Sequence, residues 1–160
     1  MTINEMIQII AAMLGALGFG MLFNIRGNKL IAVALGGGLG WTIFILMEHL
    51  GANEAIGYFV ASLLVSLYAE IMARLLKAPA TIFIAPSIIP LVPGASLYYT
   101  MAYALGGNSE LFIKKAVDAL ILACAIAVGV IAAAVVMKLI LRILQAVYSK
   151  LDASKAKNIN

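Results

Sequence analysis

Hydrophobic residues along the 160-residue chain form long blocks that short polar turns separate. A helix needs about 20 apolar residues to cross a bilayer, and blocks of roughly this length recur along the chain. The blocks cover residues 3–23, 30–47, 55–76, 81–105 and 111–147. The pattern predicts an all-α integral membrane protein with about five transmembrane segments. It assigns residues 1–148 to a single transmembrane domain and residues 149–160 to a polar cytoplasmic tail.

The fourth block contains three of the four prolines of the chain, Pro86, Pro90 and Pro93, and Gly94 follows directly. Proline lacks the backbone N–H that a helix interior needs, and its ring clashes with the preceding turn. The fourth segment is therefore predicted to break into half-helices. Backbone groups freed at membrane depth must bond to protein or to water in a cavity, so the break is expected inside the helix bundle or beside an aqueous cavity.

Composition places the chain in lipid rather than in water. It is 64% hydrophobic and 11% charged, with a mean hydropathy of +1.09, whereas soluble domains are roughly half apolar and a quarter charged. The first block carries Glu5 as its only side-chain charge and lacks the basic start of a secretory signal. It is therefore interpreted as a spanning helix and not as a cleaved signal.

The distribution of charge orients the predicted segments. Lysine and arginine concentrate in the first and third polar turns and in the tail, whereas the second turn holds Glu48 and Glu54. The chain is predicted to lie in the cytoplasmic (inner) cell membrane. Because cytoplasmic turns are rich in Lys and Arg, its N-terminus is predicted on the outer side of this membrane and its C-terminus in the cytoplasm. Lys114 and Lys115, at the outer start of the fifth segment, are exceptions, and a fourth segment that re-enters without crossing fits the turn charges less well. No basic patch alternates with exposed aromatic residues, so a nucleic-acid partner is not expected.

The proline break predicts a binding site for a carboxylate. Pro93 suits the first turn of a second half-helix, whose free N–H groups and positive dipole end attract an anionic group, as in secondary transporters. Gly94 allows a close approach to the backbone. Hydroxyl side chains at helical spacing would line the same side, namely Ser96, Tyr99, Thr100 and Tyr103. The alternative is a purely structural kink with satisfied tyrosines.

Three ionisable residues within the predicted segments, Glu70, Arg74 and Asp118, are candidates for ion or proton coupling. Such residues are costly in lipid and usually face the interior of a bundle. Glu70 and Arg74 are four residues apart and can pair on one helix face, and the alternative is a pair that only anchors the helix near the cytoplasmic interface. Asp118 follows Lys114 by four residues, so it either relays protons or pairs with that lysine.

Small residues four apart, Gly36 with Gly40 and Ala16 with Gly20, favour close helix packing. They indicate either a specific helix pair, which can include a partner subunit, or the general composition of membrane helices. Cys124 is expected to be a small buried packing residue. The sequence has no nucleophile with an adjacent base, no cluster of metal ligands and no phosphate-binding loop. An enzyme, a metal site and a cofactor are therefore not expected.

The stretch LLVSLYAEIMARLLKAPATIFIAPSIIPLVPGASLYY, residues 63–99, resembles the core of the threonine/serine exporter family. The match is specifically to the small YjjB-type subunit, which is similar to the C-terminal half of the full-length exporters, and it extends over residues 5–145. The positions that carry the resemblance are Glu70, Arg74, Lys77, Ala78, Pro79, Thr81, Phe83, Ile89, Pro90, Leu91, Val92, Pro93, Gly94 and Tyr98, together with Leu22, Phe23 and Asn24 in the first turn.

The resemblance implies a secondary exporter of threonine and serine, or of a dicarboxylate such as succinate, that works with a larger ThrE-like membrane subunit. It also adds Tyr98 to the residues expected to bind substrate. Two other functions stay open on the sequence: a membrane scaffold or assembly subunit without a transport path, and a small channel built by homo-oligomerisation. A scaffold has no need of hydroxyl residues at a helix break.

The predicted orientation can be tested by labelling intact cells with a membrane-impermeant thiol reagent. In a Cys124→Ala background, the reagent should label Asn53→Cys from outside and should not label Ser154→Cys. Lysed cells, in which both cysteines should react, are the control. Labelling of Ser154→Cys in intact cells would contradict a cytoplasmic C-terminus.

Overall fold

A computed structural model of the chain describes residues 2–157, and nearly all of them are helical. The helices are α1 Ile3–Leu22, α2 Asn28–His49, α3 Glu54–Leu75, α4 Thr81–Ile88, α5 Gly94–Leu105 and α6 Ser109–Lys157, and a short 3₁₀ helix, Ile89–Leu91, follows α4. No β-strand occurs within residues 2–157.

The predicted all-α membrane fold is confirmed. Within the described chain, four helices are long and apolar enough to cross a membrane, and the bent stretch from α4 to α5 brings the number of crossings to as many as five. α6 runs without interruption to Lys157, so the described part of the predicted tail, 149–157, is helical. Residues 158–160 of that tail lie outside the described residues.

Local capping fixes several helix ends. At the start of α1, the Thr2 hydroxyl accepts from the Glu5 amide at 3.4 Å and the Glu5 carboxylate accepts from the Thr2 amide at 2.9 Å, which is a capping box. Asn53 caps α3 by accepting from the Ala55 amide at 3.3 Å. Just after α3, Lys77 adopts a left-handed φ of 47°, as is common where a helix stops.

α2 lies at the centre of the bundle because its glycines admit neighbouring helices. A Cβ atom at Gly36 would lie 2.5 Å from Ser87 Oγ in α4, and one at Gly40 would lie 2.8 Å from Val65 Cγ2 in α3. Gly37 meets α1 just as closely. The close packing expected of this small-residue pair is confirmed, and the chain's own helices occupy the space that the missing side chains leave.

α1 is joined to α2 by the second small-residue pair and by a polar contact. Ala16 is fully buried, and a Cβ atom at Gly20 would lie 2.7 Å from Leu30 Cδ1 in α2. At the other end of the two helices, His49 Nε2 lies 3.1 Å from Glu5 Oε1. The two helices therefore pack antiparallel along most of their length.

α6 packs along α3 in the same direction. Leu122 shares a buried cluster with Tyr58, near the start of α3, and seven residues later Gly129 contacts Ser62, one turn further along α3. A Cβ atom at Gly129 would lie 2.6 Å from the Phe59 carbonyl oxygen. The two backbones are thus in close contact, and α6 begins at the end of the bundle where α3 begins.

The fourth segment crosses the bundle instead of returning to the side from which it enters. Phe83 of α4 packs in a buried cluster with Ile25, which lies in the polar turn between α1 and α2, and with Ala73, which lies in the last turn of α3. Leu91, at the end of the 3₁₀ helix, packs in a second cluster with Tyr58. α5 then leads to the start of α6, which is the end opposite to Phe83.

Cys124 is exposed on α6, so the expectation of a buried packing residue is wrong. It lies along an open apolar groove that α6 forms with α3, next to Phe59 and Val128. α6 is apolar around its whole circumference in this region, so its periodicity did not indicate which side faces the bundle.

Gly129→Ala should loosen the contact between α3 and α6. The added methyl group would press on backbone atoms of α3, and such overpacking costs about 1–3 kcal/mol. Gly18→Ala is the matched control, because no atom lies within 4 Å of the position of its Cβ and alanine favours a helix over glycine by about 0.8–1.0 kcal/mol. Thermal unfolding of the purified protein in detergent should rank Gly129→Ala below the wild type and Gly18→Ala at or above it. Equal stability of the two variants would argue against the close contact.

Candidate functional site

The proline-rich stretch breaks as predicted, with an angle of 57° between its two halves. Pro86 lies inside α4, Pro90 lies in the 3₁₀ helix, and Pro93 is the N-cap of α5. None of these prolines can donate to the preceding turn, so α4 tightens into a 3₁₀ helix and then ends. Val92 is extended, with a ψ of 129°, because a residue before proline avoids the helical region.

The N-terminus of α5 is open to small anions. The Gly94 amide donates to the Val92 carbonyl at 2.7 Å, whereas the amides of Ala95 and Ser96 have no backbone acceptor among the described residues. Gly94 is exposed, and no atom lies within 4 Å of the position of its Cβ. Unpaired amides at the positive end of a helix are suited to bind a carboxylate.

The predicted hydroxyl residues lie on α5 as the spacing requires, but the chain encloses them only in part. Ser96, Thr100 and Tyr103 are half-buried, and Tyr99 is 49% exposed and stacks on Tyr103 with ring centroids 6.2 Å apart. The Thr100 hydroxyl donates to the Ser96 carbonyl at 2.7 Å, so it is left as an acceptor. Tyr98 contacts Tyr99 edge-on and is 68% exposed. No residue of α5 is buried, and its main neighbour is α6.

Asp118 of α6 pairs with Lys115 rather than with Lys114. The distance from Lys115 Nζ to Asp118 Oδ2 is 3.3 Å, so the expected pair with Lys114 is wrong. Spacings of three and of four both bring side chains together on a helix, and the sequence does not choose between them. Ser96 lies nine residues before the last residue of α5 and Asp118 nine after the first residue of α6. α5 and α6 pack against each other as an antiparallel hairpin, so residues equally far from the connecting turn lie at the same height. The ion pair is therefore at about the height of the break.

Glu70 and Arg74 pair on α3 as predicted. Arg74 Nη1 lies 3.1 Å from Glu70 Oε2 and also donates to the Glu70 carbonyl at 2.6 Å. Both side chains keep some exposure, 22% for Glu70 and 41% for Arg74. The pair lies in the last two turns of α3, away from the break, so the candidate coupling residues do not form one cluster with the half-helix.

A groove beside the break contains a residue that sequence reasoning missed. Its volume is about 360 Å³, and Gln8 and Gly15 of α1, Trp41 of α2, and Ile89 and Pro90 line part of it. Trp41 Nε1 donates to Gln8 Oε1 at 3.2 Å. The position of Gln8, more than one helical turn into the first apolar block, was the available signal, because an amide side chain there needs a partner in lipid.

The sequence matches a known family over the region that contains these features. The family is described as "Threonine/Serine exporter, ThrE", and the match covers residues 8–136. The chain belongs to the threonine/serine exporter family. The predicted resemblance is thereby confirmed, and the family is one of transporters rather than of enzymes. The matched residues of this exporter-family chain include α1 from residue 8 onward, all of α2 to α5 and most of the apolar part of α6. No solved structure matches the chain.

Proposed function

We propose that the chain is a membrane subunit of a secondary exporter of small carboxylate-bearing metabolites. Threonine and serine are the first candidates for the substrate, and a dicarboxylate such as succinate is the second. The membership in the threonine/serine exporter family carries the proposal. The open N-terminus of α5 supports it, since two unpaired amides next to an accessible Gly94 suit the carboxylate that all these substrates share.

The half-helix at the break supplies the substrate site in this proposal. The carboxylate binds at Pro93 and Gly94, and the polar residues of α5 contact the rest of the substrate, these being Ser96, Tyr98, Tyr99, Thr100 and Tyr103. The packing of Leu91 against Gly40, near the middle of α2, supports a position deep in the membrane for this site.

Ion or proton coupling is assigned to the two ion pairs. The Asp118–Lys115 pair stands at the height of the break, so a change in its protonation acts close to the bound substrate. The Glu70–Arg74 pair stands near the opposite end of α3 and acts at the cytoplasmic entrance. The partial exposure of all four side chains supports exchange of ions or protons with water at both places.

A larger ThrE-like membrane subunit completes the transport path. Half of Tyr99 and two-thirds of Tyr98 are uncovered, and no residue of α5 is buried within the described chain. A polar half-helix in lipid requires a protein or aqueous neighbour, and the partner subunit provides it. The proposed complex lies in the inner membrane with the N-terminus outside. The grouping of Arg26, Lys29 and Arg74 at one end of the bundle supports this orientation.

Gly94→Leu should abolish most of the export. Its side chain would fill the open space in front of the α5 amides, whereas Gly94→Ala adds one methyl group to an open position and should keep most activity. Tyr103→Phe removes one neutral hydrogen bond, which contributes about 0.5–1.5 kcal/mol, so its export should fall by roughly tenfold at most. Efflux of threonine, serine and succinate should be measured in cells at matched amounts of membrane-inserted protein. Wild-type efflux by Gly94→Leu would mean that the prolines form only a structural kink and that the substrate does not bind at Gly94.

Export should also depend on the partner. Cells that express the chain together with the larger subunit should export, and cells that express either protein alone should not. Reconstitution of the purified chain into liposomes provides the control, because no other membrane protein is then present. Robust efflux from those liposomes would contradict the need for a second subunit.

A further inference from the structure

A polar cavity, separate from the groove beside the break, lies where α2 ends and α3 begins, at the end of the bundle opposite to Phe83. Its volume is about 410 Å³, and its polar lining includes Glu48 from α2 together with Asn53 and Glu54 at the start of α3. No Lys or Arg within the described residues lines it. The cavity thus presents two carboxylates without a basic side chain between them.

Tyr58 directs an unpaired hydroxyl into this cavity. The residue is 6% exposed and lines the cavity, yet its hydroxyl makes no hydrogen bond among the described residues. Side chains on a helix lean towards the N-terminus, which here is the cavity side. Among the other hydroxyls of α3, Tyr68 donates to the Ala32 carbonyl at 2.9 Å and Ser62 to the Phe59 carbonyl at 3.0 Å, whereas the buried Ser66 hydroxyl has no partner within the described residues. The ring of Tyr58 is buried, whereas its hydroxyl stays accessible at the cavity with free hydrogen-bonding capacity, so it marks a position for a ligand.

Aromatic rings form one wall of the cavity. The ring centroids of Phe44 and Tyr58, which both line the cavity, are 4.6 Å apart, and Trp41 packs behind them, 5.4 Å from Phe44 and outside the lining. Aromatic faces attract cations through the ring quadrupole. The wall and the two carboxylates therefore favour the same sign of charge.

We propose that this cavity binds the primary ammonium group of a small organic molecule. An ammonium group has three N–H donors, and Glu48, Glu54 and the Tyr58 hydroxyl are three acceptors at the cavity. A metal ion fits less well, because Ca²⁺ takes 6–8 oxygen ligands and no group of three His, Cys, Asp or Glu side chains suited to a metal occurs within the described residues. The site shares no residue with the half-helix on α5, so it stands independently of the proposed export function.

Calorimetric titration of the full-length purified chain in a neutral maltoside detergent tests the site. Ethylammonium chloride is the probe, and sodium acetate is the control because its organic ion has the opposite charge. Ethylammonium should bind saturably with one site per chain, and acetate should not bind there. Glu48→Gln and Glu54→Gln should each weaken binding about tenfold, since each removes a charge-assisted hydrogen bond. Tyr58→Phe keeps the ring and should weaken binding about fivefold. The fluorescence of Trp41, the single tryptophan, gives a second readout because it lies next to Phe44.

Glu110→Gln is the matched control, because it removes the same charge from the first turn of α6 without altering the cavity lining. It should keep affinity within about twofold, as expected for an exposed charge outside the site. An equal loss in Glu110→Gln would mean that general surface charge attracts the probe and would overturn the site. Absence of saturable binding, or displacement of ethylammonium by an equal concentration of Mg²⁺, would overturn the ammonium assignment as well.

Discussion

A backbone N–H or C=O group in lipid has no water to bond with, and this constraint governs the whole structure. It requires continuous helices wherever the chain meets lipid, and it permits an irregular backbone only where protein surrounds it. The chain leaves the helical conformation at Val92 and Pro93, and the adjacent Leu91 is fully buried against α2, α3 and α6. The surrounding helices therefore shield the end of the first half-helix, whereas Val92 and Gly94 at the break itself stay exposed.

The glycines of α2 make that shielding possible. Gly36 and Gly40 let the side chains of Ser87 in α4 and Val65 in α3 pack directly on the backbone of α2, so the first half of the broken segment sits in the interior. The second half has no comparable support, since α5 packs mainly on α6 and buries none of its residues. Regions with few buried contacts open at low free energy. The chain thus combines a firmly packed half-helix with one that is free to change its contacts.

Features that depend on neighbouring residues could be predicted from the sequence, and features that depend on tertiary contacts could not. Apolar block length gave the spans, and the prolines gave the break and the start of α5. The Glu70–Arg74 pair followed from its spacing, whereas the choice of Lys115 as the partner of Asp118 did not. His49 meets Glu5 and Tyr68 meets Ala32 across 44 and 36 residues, distances over which no local pattern operates. Cys124 was misplaced because an evenly apolar helix does not reveal which side faces the bundle.

The length of α6 has a mechanical consequence. With 49 residues at 1.5 Å per residue it is about 74 Å long, more than twice the roughly 30 Å thickness of the hydrocarbon layer. Much of this rod must therefore stand in the headgroup layers or in water. It contains no proline that would act as a hinge. The distal end of α6, which phospholipid headgroups or a bound protein can reach, thus belongs to the same continuous helix that makes the Gly129 contact and forms the hairpin with α5.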